Sequence, residues 1–299
     1  MNNIIGLLKT HGPLTGKEIQ EKISMDLFEL WKLCSQCTDI TIQTIGTRYL
    51  RLDKNVEGLA RLSPSIIREF NNYMVIGLSE QAEEIKAKAR QMHREIIRIS
   101  QSKLELARKT MERIIDAQVD PAIIREKVCF MIAGDVAYEM AHLEPRPESS
   151  TGKMVNGSDL DIVIICKDLP ESKMKSLDAS VYDMKYYLLS NPSHREEIDY
   201  VIKDISKVDK QLAFEDFESM IASKVLDESK FLCGSLDLFF EVKNMVSDRG
   251  IPGKLANMIE KATADREKAR TLLLTHSDAI NDKEMKQLFY TTEEKEEFF

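Results

Sequence analysis

No stretch of this 299-residue chain reaches the roughly 18 to 20 consecutive apolar residues that a membrane span requires, and its opening, MNNIIGLLKT, lacks a basic region and a cleavage site. A soluble, cytoplasmic protein without membrane contact is expected. Cysteine is scarce and odd in number: Cys34, Cys37, Cys129, Cys166 and Cys233 sit in apolar segments. That excludes a compact disulfide framework and predicts reduced core thiols. Cys34 and Cys37 form a CxxC, but no second pair or thioredoxin-like context accompanies it. The five histidines (His11, His93, His142, His194, His276) show no metal-ligand spacing and no triad setting. An excess of basic charge is also missing, because the formal net charge is -8. Binding to nucleic acid through a uniformly basic surface is thereby excluded, and any such contact has to be local. There is no internal repeat and no low-complexity block.

What is present falls into segments of different character, predicted at 1–55, 56–124, 125–248 and 249–299. The first holds an apolar helix (Ile4 to Leu8), a Gly12-Pro13 break and a helix that Thr15 can cap. A third helix over Met25 to Cys37 and a hairpin over Ile40 to Leu52, turning near Gly46, complete the order of a winged helix. Its third helix offers only Lys32 as a cation, beside Asp26 and Glu29. Two kinds of partner fit such a module: a nucleic-acid backbone touched by Arg48 and Arg51, or a protein surface met by the wing.

From Ser79 to about Gln118 the chain carries neither Gly nor Pro, which predicts one helix roughly 60 Å long at 1.5 Å per residue. Ile85, Ala89, Met92, Ile96 and Ile99 form an apolar stripe along it. Either a second copy of the chain, giving a homodimer, or the chain itself has to cover that stripe. Beyond Pro121, short apolar strands are expected at Val128 to Ala133, Leu160 to Cys166 and Ile198 to Ile202. From Phe214 the pattern is helical again, ending in the acidic tail TTEEKEEFF.

Residues 156–166 read NGSDLDIVIIC, a Gly-Ser turn that feeds Asp159 and Asp161 into a buried strand. Side chains alternate across a strand, so both carboxylates project from one face. Crowded carboxylates repel unless a cation neutralises them, and hard oxygen ligands suit Mg²⁺ or Mn²⁺ with bound phosphate. Asp199 in EEIDYVIKD is the expected third acid, from the neighbouring strand. Such a trio can hold two cations across an in-line phosphoryl displacement.

With these residues the chain resembles the DNA polymerase β-like nucleotidyltransferase superfamily over about residues 125–246. The resemblance rests on Met131-Ile132-Ala133-Gly134, the helical Val136 to His142, Asp159, Leu160-Asp161-Ile162, and Ile198-Asp199-Tyr200. Residues 223–243 resemble the helix, apolar-Gly turn and helix that follow the core in bacterial members. The resemblance implies an α+β fold: a mixed sheet flanked by helices, joined to a winged-helix N-terminal domain, a long connecting helix and a helical C-terminus. It implies a nucleoside triphosphate as partner and transfer of a nucleoside monophosphate to an unidentified acceptor, whether protein, nucleic acid or small molecule. In the family the residues matching Asp159 and Asp161 bind both metals, and the one matching Asp199 helps activate the acceptor hydroxyl. Gly134, Asp135, Ser158 and Lys230, with Lys224 nearby, are implied at the triphosphate. Two departures bear on this. Asp135 stands where the family has a small residue, and a longer segment than usual separates Gly134 from Asp159. Asp135 is expected to cap the helix opening at Val136. The donors Ser149, Ser150, Thr151 and Lys153 are expected to close over phosphate. A nucleotide-sensing regulator that acts through the winged helix is the alternative function.

Overall fold

The computed structural model describes residues 1–148, 150–275 and 288–290. Ser149, His276 and the acidic tail lie outside the described residues. The chain is α+β and divides into two compact units, one of residues 1–95 with 258–299 and one of residues 96–257. Both divisions fall inside helices.

The first unit opens with α1 (Asn2–His11), β1 (Leu14–Thr15), α2 (Gly16–Gln20) and α3 (Leu27–Gln36). Thr15 caps α2 as expected, in a reciprocal box in which its hydroxyl accepts from Glu18 N–H while Glu18 accepts from Thr15 N–H at 2.7 Å. Next come β2 (Ile40–Thr44), β3 (Tyr49–Leu52), β4 (Ala60–Ser63), α4 (Ile66–Asn72) and β5 (Met74–Leu78). Here the expected hairpin is corrected. β2 pairs antiparallel with β5, in a sheet of order β1-β5-β2, whereas β3 pairs with β4. The buried run MVIGL of β5 offers β2 an apolar partner that β3 does not, so the strands on either side of Gly46 enter different sheets. The core gathers Ile4, Leu8, Ile19, Trp31, Phe70 and Ile76. Phe289, fully buried, packs edge-on against Phe28 and Trp31, with ring centroids 5.3 and 5.4 Å away. Arg48 is committed internally: its guanidinium holds both oxygens of buried Glu69, which Arg266 also contacts at 2.8 Å.

α5 (Ala82–Asp116) is the long helix. Of its expected stripe, Ile85, Ala89 and Ile96 are buried while Met92 and Ile99 are only partly so, and further along the helix Ala107, Met111 and Ile114 are buried. The second unit continues with α6 (Pro121–Lys127), β6 (Val128–Ile132), a single turn α7 (Gly134–Ala137), β7 (Pro145–Pro147), β8 (Met154–Asn156) and β9 (Leu160–Cys166). After these come α8 (Glu171–Ser190), β10 (Ile198–Asp204), α9 (Ile205–Gln211), α10 (Phe217–Glu228), β11 (Lys230–Gly234), α11 (Leu236–Asp248) and α12 (Ile251–Thr275), whose residues from 258 onward belong to the first unit. The mixed sheet has the order β10-β9-β6-β11, with β9 and β10 parallel and the other pairs antiparallel. Alternation on β6 and β9 sends Phe130, Ile132, Ile162 and Ile164 into a core with Met111 of α5 and Leu177 and Val181 of α8.

Two sequence expectations change in this unit. The helix expected over Val136 to His142 stops at Ala137, because Glu139 takes a left-handed φ of 59° and turns the chain. Residues 230–234, expected as an apolar-Gly turn between helices, form an edge strand on β6. All five cysteines are free; burial pushes the thiols of Cys34, Cys129, Cys166 and Cys233 up to about 12, so they pack as small apolar groups.

A buried ion pair anchors the turn before β9. Lys103 of α5 donates to the Asn156 carbonyl at 2.8 Å and pairs with Glu196 at 2.5 Å, the two side chains being 3% and 9% exposed. Removing one partner strands the other charge in an apolar setting. Lys103→Met is expected to cost about 3 to 5 kcal/mol in urea unfolding. A loss below about 1 kcal/mol, the range of exposed pairs, would show that the pair does not hold this turn.

Candidate functional site

The candidate site lies at one end of the mixed sheet, where β9 and β10 begin. Asp161 and Asp199 are directly opposite in the parallel register, and Asp159 precedes β9 by one residue. One carboxylate oxygen from each of Asp159, Asp161 and Asp199 falls within 4.8 Å of the others. The strand alternation read from DLD therefore does bring these side chains together.

Backbone geometry explains how the chain can approach so closely. Gly134 follows β6 with φ of +64°, and a Cβ there would lie 2.0 Å from Asp161 Oδ2. Only glycine fits that position beside the carboxylate. Gly157, with φ of +68°, is equally constrained, since its Cβ would meet the His142 carbonyl oxygen at 2.0 Å. Ala133 N–H donates to the Asp161 carbonyl at 2.9 Å, so β6 and β9 remain stitched up to the site.

The site is short of positive charge. Burial raises the pKa of Asp161 well above its usual value, and the charges of Asp159, Asp135, Asp199 and Glu228 add to the effect. Asp159 is likewise raised, by burial first and by Asp135 and Asp199, with Arg146 opposing. Two ionised carboxylates 4.8 Å apart repel by about 3.5 kcal/mol at an effective dielectric near 20. Two cations approach the trio. Arg146 Nη2 lies 3.7 Å from Asp159 and 2.8 Å from Glu197, and Lys185 of α8 lies 3.5 Å from Asp199. Neither replaces a divalent ion: Arg146 also serves Glu197 and donates to the Gly157 carbonyl at 2.9 Å, and Asp199 is 66% exposed. Three hard oxygen donors with a deficit of positive charge fit Mg²⁺ or Mn²⁺.

The other implied residues have different fates. Asp135 does not cap α7, whose N-cap is Ala133 without a side-chain hydrogen bond. Instead Asp135 Oδ2 accepts from Ser158 Oγ at 2.7 Å. The helix starts two residues earlier than expected, which puts Asp135 inside its only turn, near enough for its charge to raise Asp159 and Asp161. Ser158 bridges to His142 N–H at 3.2 Å, tying the Gly-Ser turn to the segment after α7. Lys230 is on edge strand β11, half exposed and 3.7 Å from Glu139. Lys224, on α10, is less exposed, at 12% of its side chain, and is ion-paired with Glu228.

The long segment before Asp159 folds as the β7–β8 hairpin. Ser150 and Thr151 turn their hydroxyls and amides onto Glu148. Burial alone would raise the Glu148 carboxyl, but those donors overrule it and hold the group at about 2. Lys153 reaches Ser190 Oγ at 3.1 Å and lies over the Tyr186 ring. What the hairpin does contribute is Arg146, together with a fixed route to the Gly-Ser turn.

Sequence reasoning missed Arg146, Lys185, Tyr138 and Glu228. Arg146, Lys185 and Glu228 reach the site from other elements, whereas Tyr138 directly follows the α7 turn. The one available signal was the length of the segment between Gly134 and Asp159, which had to be folded somehow and carries a single arginine.

No helix among the described residues is long and apolar enough to cross a membrane. No protein-family model matches the chain, and no match is found among curated proteins or solved structures.

Proposed function

We propose that residues 96–257 form a metal-dependent nucleotidyltransferase that moves a nucleoside monophosphate from a triphosphate to an acceptor hydroxyl. The observation that carries this reading is the register of β9 and β10. It puts Asp161 opposite Asp199, with Asp159 alongside, all within 4.8 Å and beside a glycine that admits no side chain. The family resemblance over residues 125–246 adds the reaction class, and an α+β unit with a mixed sheet is compatible with it.

Asp159 and Asp161 would hold Mg²⁺ or Mn²⁺, with Asp199 as the third ligand. A divalent cation there supplies charge neutralisation and orients the triphosphate. Asp199, the most exposed of the three, is placed to accept the proton of an acceptor hydroxyl arriving from solvent. The acceptor oxygen forms a bond to the α-phosphorus, the bond from that phosphorus to the oxygen bridging to the β-phosphate breaks, and pyrophosphate leaves. Arg146 keeps Asp159 oriented from the hairpin side.

A second reading, a nucleotide sensor without turnover, draws on one observation: Asp135, held by Ser158, adds its negative charge to that of the acids, and a triphosphate would meet it there. Incubation with α-labelled nucleoside triphosphates, Mg²⁺ or Mn²⁺ and a panel of protein, nucleic-acid and small-molecule acceptors separates the two. Label transfer with pyrophosphate release, lost by about 10²-fold or more in Asp159→Asn, Asp161→Asn, is the outcome expected of the enzyme. Saturable binding without transfer would leave the sensor. Unchanged transfer in the double variant would remove these aspartates from the chemistry.

A further inference from the structure

Beside the aspartates lies a second convergence of polar groups that the reaction outlined above does not use. Glu228, the last residue of α10, has only 5% of its side chain exposed. Its Oε1 accepts Gly134 N–H at 3.2 Å, and its Oε2 accepts the Tyr138 hydroxyl at 2.6 Å. Lys224 Nζ lies 2.5 Å from the same Oε2. A backbone amide, a phenol and an ammonium, from the turn after β6 and from α10, thus point at one carboxylate.

That donor set has the chemistry of a phosphate cradle: neutral donors fix direction, and a lysine supplies point charge. It also has the right neighbour. Gly134 is the residue packed against Asp161 Oδ2, so an anion held by its amide sits next to the aspartate trio. A carboxylate and a phosphate cannot share these donors, because each needs the same hydrogens and the two repel.

We propose that Glu228 is an internal stand-in for phosphate: its carboxylate fills the polyphosphate subsite of a nucleoside triphosphate, and nucleotide binds by displacing it from Gly134, Tyr138 and Lys224. The inference rests on the nucleotidyltransferase reading of Asp159, Asp161 and Asp199. Glu228 can leave without unravelling its helix. The chain turns extended at Ser229 directly after it, and Lys243 separately holds the carbonyls of Leu226 and Asp227, each at 2.7 Å. Displacing the carboxylate breaks its ion pair with Lys224, whose charge can then turn to the incoming phosphate. Nucleotide affinity is thereby coupled to the conformation of the end of α10.

The test is calorimetric titration of the full chain, with Mg²⁺ present, using inorganic tripolyphosphate and a triphosphate analogue with a methylene bridge between the α- and β-phosphates. Glu228→Gln keeps the side-chain shape and loses the charge. It is expected to bind both probes about ten-fold more tightly or better than the wild type. Glu228→Asp, too short to reach both Gly134 and Tyr138, is expected to bind them with an intermediate gain, and it carries the test if the glutamine variant does not fold. Lys224→Met placed in the Glu228→Gln background should abolish the gain. Equal or weaker binding by folded Glu228 variants, with the wild type binding the analogue, would overturn the plug while leaving the aspartate site standing. Binding of neither probe by folded wild type or variants would overturn both readings.

Discussion

Asp161→Asn is expected to abolish Mn²⁺ binding and, at neutral pH without metal, to raise the melting temperature. Both effects have one cause. Asp161 is held among Asp159, Asp135, Asp199 and Glu228 in a site short of cations, and burial with those charges disfavours its ionised form. In the folded chain its proton affinity therefore lies above the 3.8 of an unperturbed aspartate. The sign follows from linkage. A carboxyl whose pKa is raised by folding stabilises the native state while protonated, below its unfolded value. It becomes a liability as pH climbs through the raised value. Asparagine removes that liability and keeps the side-chain volume, so the gain in stability should be greatest near neutrality and vanish as pH falls to about 4. The same group is a cation ligand, so wild-type affinity for Mn²⁺ should weaken steadily as pH falls and protons compete. Melting curves between pH 4 and 8, with and without Mn²⁺, read both effects. If the metal-free variant melts below the wild type at pH 7, the trio is not electrostatically frustrated. If Mn²⁺ still stabilises the variant as it does the wild type, Asp161 is not a ligand.

Gly134→Ala is expected to disrupt the aspartate trio directly. Left-handed backbone costs a residue with a Cβ about 1 to 2 kcal/mol, and here the methyl would also lie 2.0 Å from Asp161 Oδ2. Asp161 has to move or β6 has to pull away from β9, and either change separates it from Asp159 and Asp199. Gly152 provides the control, because it has a similar φ of +69° with nothing within 4 Å of its would-be Cβ. Gly152→Ala should show the backbone cost alone and leave cation binding intact, whereas Gly134→Ala should lose cation affinity by about ten-fold or more as well. Equal effects of the two substitutions on Mn²⁺ affinity would show that Gly134 serves the turn and not the carboxylate.

How far sequence reached depends on the range of the interaction concerned. The run without Gly or Pro predicts a helix over 79–118, and α5 occupies Ala82–Asp116. Apolar continuity predicts Leu160 to Cys166 as a strand, and β9 has those bounds. The cap by Thr15 and the shared face of Asp159 and Asp161 are equally local. Each needs only the period of a helix or strand and the chemistry of neighbouring residues. Expectations failed where a partner far along the chain decided the outcome. KFLCG becomes β11 because β6, about a hundred residues earlier, presents an unpaired edge. β2 leaves the expected hairpin for β5, and Asp135 abandons the expected cap for Ser158.

Residue order alone specifies the aspartates, the glycine ahead of them, the strands that carry them and the lack of any rival metal-ligand spacing among cysteines or histidines. These follow from short-range stereochemistry and composition, which every copy of the pattern shares. Packing of distant segments sets which cations meet those acids, Arg146 of the hairpin and Lys185 of α8 among the described residues, and brings Glu228 onto the Gly134 amide. No spacing rule encodes such meetings. They depend on how sheet order and helix packing fold distant segments back on one end of the sheet, where charge and hydrogen-bond demand are set by whatever is brought alongside.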